Sequence, residues 1–254
     1  MKAPCAWLDL KPAPHYRRES FARGLSVHGF RVEFGLPRVV QEGDLLLIWN
    51  RQGFSSVVAN RFECAGNIVL VAENGYLGKS IGGEPLYAIS RNHHNGAGTW
   101  HVGGSERWEG LNVDLSDWRM NGTEVVFLPQ RSIGEEKVAM PRGWEDGATR
   151  RLNLGIQNRV RPHPGIHPCK DLLDDLGKAL AVCTWGSGAA IKALVAGIPV
   201  IYDFEQWIGA SAASRIGEPL KRDSVARQKM LERLAWAQWK LSEIENGTAM
   251  EYLL

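Results

Sequence analysis

A glycine-rich turn between two apolar runs is the stretch best suited to hold an anion. Gly186, Ser187 and Gly188 follow a short strand predicted over residues 181–183 and precede a helix predicted from Ala189. The first N–H groups of a helix have no partner within the helix, and its dipole is positive at that end. The turn through Ala189 is therefore predicted to bind a phosphoryl group. A tight strand-to-helix connection without a ligand has the same composition, so that interpretation stays open.

Two arginines and a histidine are predicted at the same edge of the sheet. Arg131 follows the strand predicted over 124–128, and Arg161 and His163 follow the strand that begins at Asn158. The carboxyl ends of parallel strands share one edge, where open sheets bind their ligands, so we expect these side chains to meet the glycine turn. Together they have the composition of a diphosphate site. A histidine between prolines also has a plainer interpretation, as a rigid loop residue.

The first half of the chain offers one carboxylate and one polar loop. Glu73, Asn74 and Tyr76 follow a strand predicted over 67–72. A later glycine-rich loop carries four polar residues in a row, Asn92, His93, His94 and Asn95. A glutamate at a strand end also serves as a cap or a salt-bridge partner, and loop histidines are often only exposed residues.

No metal ion is expected. His163 and His167 have the four-residue spacing that places two ligands on one face of a helix. Pro162, Pro164 and Pro168 exclude that helix, because proline lacks the N–H and clashes with the preceding turn.

The elements that must position these residues alternate between strand and helix. Continuous apolar runs, such as DLLLIW at 44–49 and NIVLVA at 67–72, are typical of parallel strands covered on both faces. The predicted fold class is α/β with two Rossmann-like halves, over 1–120 and 121–254. Residues 74–122 interrupt the rhythm, a helix is predicted over 135–153, and a long C-terminal helix is predicted over 223–245.

Composition narrows the class of protein. The chain has 254 residues and a net charge of +2, so no strongly basic domain indicates nucleic acid. The first forty residues carry seven basic and three acidic side chains, which fits a solvated face or a polyanion contact. Four cysteines without a CxxC pair favour a reduced, cytoplasmic protein, and no apolar run predicts a membrane span.

Several motifs are missing from the sequence. There is no GxxxxGK[ST], no GxGxxG after the first strand and no Asp-x-Asp pair, and Ser187 does not lie in a GxSxG. These observations argue against a P-loop NTPase, a nicotinamide dehydrogenase, a nucleophile elbow at Ser187 and a metal-bridged nucleotide-sugar site.

The second half resembles the donor-binding half of GT-B-type glycosyltransferases, in which two Rossmann-like domains face each other across a cleft. The likeness is most specific to bacterial capsule-type transferases, including polysialyl- and Kdo-transferases. Their acidic-acidic-glycine, His-Pro and serine motifs have counterparts here in Glu73-Asn74-Gly75, His163-Pro164 and Ser187. Asn74 departs from the acidic second position, and one serine stands where the family has a pair.

The resemblance implies a metal-independent transfer of sugar from a nucleotide-sugar donor, a co-substrate rather than a cofactor, to an acceptor hydroxyl. Glu73 would be the base, with His94 in reserve, and His163 and Ser187 would contact the donor phosphate. The other donor-binding residues would be Arg131, Arg161, Gly186, Gly188 and Ala189. The acceptor would be bordered by Asn74, Tyr76, Asn92, His93 and Asn95.

The phrases ENGYLG, NHHNGAG, RPHPG and TWGSGAA also resemble proteins of bacteriophage and prophage genomes. This resemblance implies duplex DNA with hydroxymethylated bases as the acceptor, in the host cytoplasm, without a membrane partner. Three alternatives stay open: a transferase acting on a capsular or surface glycan, a non-catalytic nucleotide-sugar or nucleic-acid binding protein, and a sugar-nucleotide epimerase of the same architecture.

Overall fold

The computed structural model describes residues 3–152 and 155–254. The chain divides into two compact units, Met1–Gly103 together with Ala235–Leu254, and Gly104–Leu234. The prediction placed the divide near residue 120 and gave the whole C-terminal part to the second half. In the structure the last twenty residues return to the first unit, because they pair with its sheet and fill its core.

The first unit is built on a mixed sheet whose first four strands are parallel. Its strands are β1 (Cys5–Asp9), β2 (Arg31–Phe34), β3 (Leu45–Trp49), β4 (Ile68–Asn74), β5 (Ser80–Ile81), β6 (Glu84–Arg91) and β12 (Gln238–Lys240). They run in the order β12-β6-β4-β3-β1-β2, with β5 beside β6. Strands β1 to β4 pair in parallel, whereas β6 is antiparallel to β4 and β12 is antiparallel to β6.

Both faces of this sheet are covered, as its continuous apolar strands predict. Alternate residues of β3 point to opposite faces. Leu45 and Leu47 pack in the cluster of α1 (Arg18–Val27), whereas Leu46 and Ile48 pack against α2 (Gly53–Cys64). This burial fixes the register of the strands and therefore the residues at which they end.

Two elements of the first unit differ from the prediction. The interrupted region 74–122 contains β6, whose residues from Leu86 to Ser90 are buried, so it shows no polar alternation. The predicted C-terminal helix ends early, as α7 (Ser224–Ala235), and the chain then forms β12. Trp239, on β12, is fully buried in the core cluster of the first unit. This packing outweighs the helical spacing of the apolar residues. Two short helices complete the unit, α8 (Leu241–Glu245) and α9 (Thr248–Leu253).

The second unit has an all-parallel sheet. Its strands are β7 (Glu124–Leu128), β8 (Gln157–Val160), β9 (Ala179–Thr184), β10 (Val200–Tyr202) and β11 (Ser214–Arg215), in the order β11-β10-β9-β7-β8. Its helices are α3 (Glu106–Leu111), α4 (Trp144–Arg151), α5 (Leu172–Asp175), α6 (Ala189–Val195) and most of α7. The helix predicted over 135–153 is reduced to α4, because Pro141 and the left-handed Gly143 precede its first turn. The predicted last residue, Asn153, lies outside the described residues.

The predicted α/β fold class is confirmed: the first unit is a mixed sheet and the second an all-parallel sheet, each with helices. In the parts of the chain that the structure describes, no helix is both long and apolar enough to cross a membrane.

Candidate functional site: two sheet edges

The carboxyl edge of the second unit brings together most of the predicted anion-binding residues. Strands β8, β7 and β9 are neighbours, with Phe127 opposite Val160 and Leu128 opposite Thr184. Arg161 extends β8 by donating its N–H to the Phe127 carbonyl at 2.9 Å. The segments that follow these three strands therefore start side by side.

His163 lies within reach of two positive charges at this edge. Burial, followed by the charges of Arg131 and Arg161, lowers the pKa of its imidazole below the usual value. The ring is therefore neutral near pH 7. Its Nδ1 accepts the N–H of Gly165 at 2.9 Å, so the ring proton is on Nε2 and can be donated to a ligand oxygen.

The two arginines do different work. Arg161 is buried and forms an ion pair from Nε to Asp175 Oδ2 at 2.8 Å. Its Nη2 donates to the Lys170 carbonyl at 2.7 Å, so the guanidinium is committed to holding the loop that follows β8. Arg131 is exposed, and its charge contributes to the low pKa of His163. Arg131 therefore fits the role of anion ligand better than Arg161.

The glycine turn is held by its own polar groups. Ser187 donates its N–H to Thr184 Oγ1 at 2.9 Å, and Ala189 donates its N–H to Ser187 Oγ at 3.2 Å. Because Ser187 Oγ accepts in that bond, its hydroxyl hydrogen can still be donated to a ligand. Gln130 approaches from the end of β7, where its Nε2 donates to the Gly186 carbonyl at 3.3 Å.

Glycine at position 186 is required for packing rather than for backbone conformation. Among the described residues, the glycines with positive φ do not include Gly186. A Cβ there would lie 3.0 Å from the Phe204 ring and 3.4 Å from Trp207. The turn is thus pressed against the segment that follows β10, with Trp185 stacked on Phe204 at 5.6 Å between ring centroids.

Sequence reasoning missed Asp203, which directly follows β10 at this edge. Its carboxylate accepts the Trp144 indole N–H at 2.7 Å and is bridged by both terminal nitrogens of Arg151. These bonds hold the pKa of Asp203 below its usual value despite burial. Listing the residue after every predicted strand would have found it. Its contacts assign it to anchoring α4.

At the carboxyl edge of the first unit, Glu73 is the central group. It is partly buried near the end of β4, and its Oε1 accepts the Tyr76 hydroxyl and the Asn95 N–H, the latter at 2.8 Å. Burial raises the pKa of the Glu73 carboxyl to about 7, against the opposing effect of these two hydrogen bonds. A carboxyl group of this kind exchanges its proton near neutral pH.

Tyr76 is buried, and its hydroxyl holds the Glu73 carboxylate in place rather than contacting a ligand. Its N–H donates to Gln238 Oε1 at 2.8 Å, on strand β12. Burial and the nearby Glu73 charge raise the pKa of the phenol, so Tyr76 keeps its proton and remains a donor. Gln238 was not among the predicted residues, because the sequence pattern assigned it to a helix.

The polar loop lies beside Glu73, but its members differ in exposure. Asn74 and Asn92 are exposed, His93 and Asn95 are partly buried, and His94 is 2% exposed. His94 Nδ1 accepts the Arg51 N–H at 3.1 Å, which places the proton of the neutral ring on Nε2. A base needs an available lone pair, so this geometry favours Glu73 over His94.

A second carboxylate at this edge, Asp9, was also missed. It is the last residue of β1, whose neighbours β2 and β3 lie on opposite sides, so it stands at the switch point of the sheet. Burial raises the pKa of Asp9, and across residues 3–152 and 155–254 no hydrogen-bond partner engages its carboxylate. Its position near the end of the strand predicted over 5–10 was the available signal.

Within the described residues, no group of three or more His, Cys, Asp or Glu side chains could hold a metal ion.

The fold consists of two Rossmann-like units, the architecture of the GT-B type. Two structures of KpsC from Thermosulfurimonas dismutans share it. The one named as a beta Kdo 2,7 transferase has a TM-score of 0.55 at 12% identity, over 98% of this chain and 99% of that chain. The one named as a beta Kdo 2,4 transferase has a TM-score of 0.57 at 13% identity, over 93% and 91%. No protein-family model and no curated protein sequence matches the chain.

Proposed function

We propose that the protein is a glycosyltransferase that moves a sugar from a nucleotide-sugar donor to a hydroxyl group of a surface glycan. The shared fold with two Kdo transferases supports this class of reaction. The same likeness favours a glycan over hydroxymethylated DNA as the acceptor, and the predicted association with bacteriophages finds no support in it.

The observation that carries the proposal is the state of Glu73. A general base is most effective when its pKa lies near the working pH, and burial raises the pKa of this carboxyl to about 7. Both hydrogen bonds to the side chain use Oε1. In the described part of the chain nothing donates to Oε2, so in this proposal Oε2 takes the proton from the acceptor hydroxyl.

The donor phosphate belongs, in this proposal, at the carboxyl edge of the second unit. Negative charge builds on the leaving phosphate as the glycosidic bond breaks, and preorganised donors stabilise it. Arg131 supplies the charge, His163 donates from Nε2, and the Ser187 hydroxyl completes the set, because the N–H groups of Ser187 and Ala189 are already donated within the turn. In this proposal the positive charge of Arg131 stabilises the leaving phosphate, as a metal ion would in a metal-dependent enzyme, so the reaction is metal-independent. Arg161 acts here by holding the loop of His163.

Asn74 is the residue proposed to contact the acceptor, because it is exposed and directly follows Glu73 in the chain. Asn92 is also exposed, but its N–H donates to the Val69 carbonyl at 2.9 Å, four positions before Glu73 on β4. His93 and Asn95 are proposed to border the acceptor through their backbone, and the Asn95 N–H donates to Glu73. A cytoplasmic location is part of the same proposal, since nucleotide sugars are made there and the four cysteines are free thiols.

Mass spectrometry tests the proposal directly. The purified protein is incubated with UDP-, GDP-, ADP- and CMP-linked sugars, CMP-Kdo included, and with either an oligosaccharide acceptor or hydroxymethylated duplex DNA. We expect a mass gain of one sugar on the oligosaccharide from one donor class. A gain on the DNA alone would overturn the glycan acceptor, and binding of a donor without any turnover would support a non-catalytic binding protein instead.

A further inference from the structure

Arg51 is a buried cation that the proposed reaction does not use. It follows β3, and its side chain is 2% exposed. The guanidinium donates to both carboxylate oxygens of Glu63, at 2.6 and 2.8 Å, and to the side chain of Asn60. Glu63 and Asn60 both belong to α2, so these bonds fix the guanidinium against that helix.

Two further bonds of Arg51 lead away from α2 to the polar loop. Nη1 donates to the Asn92 carbonyl at 2.7 Å, and the backbone N–H donates to His94 Nδ1 at 3.1 Å. A buried guanidinium keeps such bonds because leaving its donors unsatisfied costs several kcal/mol. The guanidinium thus ties the first residue of the loop to α2, and the Arg51 backbone holds the third.

The loop is closed as tightly at its other end. Arg91 and Thr99 exchange backbone hydrogen bonds at 2.7 and 3.1 Å, and the Ser90 hydroxyl donates to the His93 carbonyl. Gly98 lies so close that an added Cβ would be 2.3 Å from that carbonyl oxygen. With both ends fixed, the Asn95 N–H has one position, and it is bonded to Glu73 Oε1 at 2.8 Å.

We propose that Arg51 is a positioning residue for the candidate base. By tying the loop at 92–98 to α2, its guanidinium keeps the Asn95 N–H against the Glu73 carboxylate and keeps water away from that carboxylate. The effect of Arg51 on catalysis rests on the function proposed above. Its effect on the position and environment of the Glu73 carboxylate does not.

The test is an NMR titration of the Glu73 side-chain carboxyl in the wild-type protein and in Arg51→Met. Burial is the largest cause of the raised pKa of Glu73, ahead of the lowering effect of the Asn95 hydrogen bond. Releasing the loop admits water, so the pKa should fall towards its ordinary value by roughly one pH unit or more. The acid limb of the turnover profile should move by the same amount.

Arg227→Met is the matched control. Arg227 is also buried, donates to the Leu194 carbonyl at 3.1 Å and lies over the Trp118 ring, but it belongs to the second unit. It should lower the thermal stability without changing the pKa of Glu73. Arg51→Lys, which keeps the charge but donates from a single nitrogen instead of a planar fork, should restore part of the wild-type value.

An unchanged or raised pKa of Glu73 in folded Arg51→Met overturns the proposal. If that variant does not fold, Asn60→Ala removes one of the bonds that hold the guanidinium and should give a smaller fall. The titration needs no substrate. A shifted pKa in a protein that transfers no sugar therefore supports the positioning role and rejects the proposed function, whereas an active enzyme with an unshifted pKa does the reverse.

Discussion

The two units present the same structural feature, the carboxyl edge of parallel strands, with opposite electrostatics. In the first unit the central group is a carboxyl whose pKa is raised by burial, held by a phenol and a backbone N–H. In the second unit the central group is an imidazole whose pKa is lowered by burial and two arginines. Near pH 7 the carboxyl of Glu73 can accept a proton at the edge of the first unit. At the edge of the second unit the positive charge is carried by the arginines, and His163 is neutral.

The difference lies in where each unit places its charges. The first unit satisfies its buried cation, Arg51, with Glu63 and so keeps positive charge away from Glu73. The second unit pairs Arg161 with Asp175 but leaves Arg131 exposed. The same fold thus yields a basic oxygen at one edge and an anion-binding surface at the other.

Replacing the carboxylate should have the largest effect. Glu73→Gln keeps an oxygen for Tyr76 and Asn95 but cannot take a proton, so we expect turnover to fall by about 10²–10⁴-fold. Donor affinity should be unchanged, since the donor is assigned to the other edge. Steady-state kinetics and donor titration measure both, with Glu42→Gln, an exposed residue of the same unit, as control. Retained turnover would exclude Glu73 as the base.

Removing the exposed arginine should have the next largest effect. Arg131→Ala should weaken donor binding by roughly 10–100-fold, the value of a hydrogen bond to a charged group. His163→Ala should weaken it by a smaller factor, because a neutral imidazole supplies one donor. Calorimetric titration with the donor found in the screen measures both variants. Arg150→Ala, exposed in the last turn of α4, is the control. Equal affinities for Arg131→Ala and Arg150→Ala would contradict the assignment of the donor to this edge.

The pH dependence should separate the two edges. As the pH falls below about 7, Glu73 is protonated and turnover should decrease by up to tenfold per pH unit. His163, whose pKa is lowered by burial and by the charges of Arg131 and Arg161, gains a positive charge only at lower pH, where donor binding should strengthen. Turnover and donor dissociation constant are measured from pH 5 to pH 9. A turnover that is level from pH 5 to pH 7 would show that no group of the predicted pKa acts as the base.

Stability should also depend on pH through Glu73. A carboxyl whose pKa is higher in the folded than in the unfolded protein binds more protons when folded, so its contribution to the unfolding free energy declines as the pH rises from 4.5 to about 7. The loss is about 3 kcal/mol for the full shift. Urea denaturation of the wild-type protein and Glu73→Gln at pH 5 and pH 8 isolates this contribution. A difference between the two proteins that is equal at both pH values would rule it out.

Apolar runs made the sheet edges predictable. Strands such as β3 and β4 are buried on both faces, so their hydrophobic runs end where the edge begins, and Glu73 and His163 could be placed there from the sequence alone. The roles of neighbouring residues could not. Tyr76 and His94 are residue types that are common at exposed polar sites, yet both are buried. Tyr76 donates its hydroxyl to Glu73, and His94 accepts the Arg51 N–H.

Tertiary packing decided what the sequence pattern could not. The apolar residues after Ala235 have helical spacing, but Gln238 and Trp239 belong to strand β12 of the first unit. The pairing of β12 with β6 is a tertiary contact, so the sequence pattern alone could not predict it. Arg161 looked equivalent to Arg131, and its ion pair with Asp175, fourteen positions later, removes it from the anion site.

The most direct test of the account is the pKa of Glu73 in the wild-type protein, measured by NMR titration of its side-chain carboxyl with Glu73→Gln to assign the signal. The account predicts a midpoint at about 7. A midpoint near 4.5, the ordinary value for glutamate, would show that the carboxyl is solvated, and the proposed base would be lost.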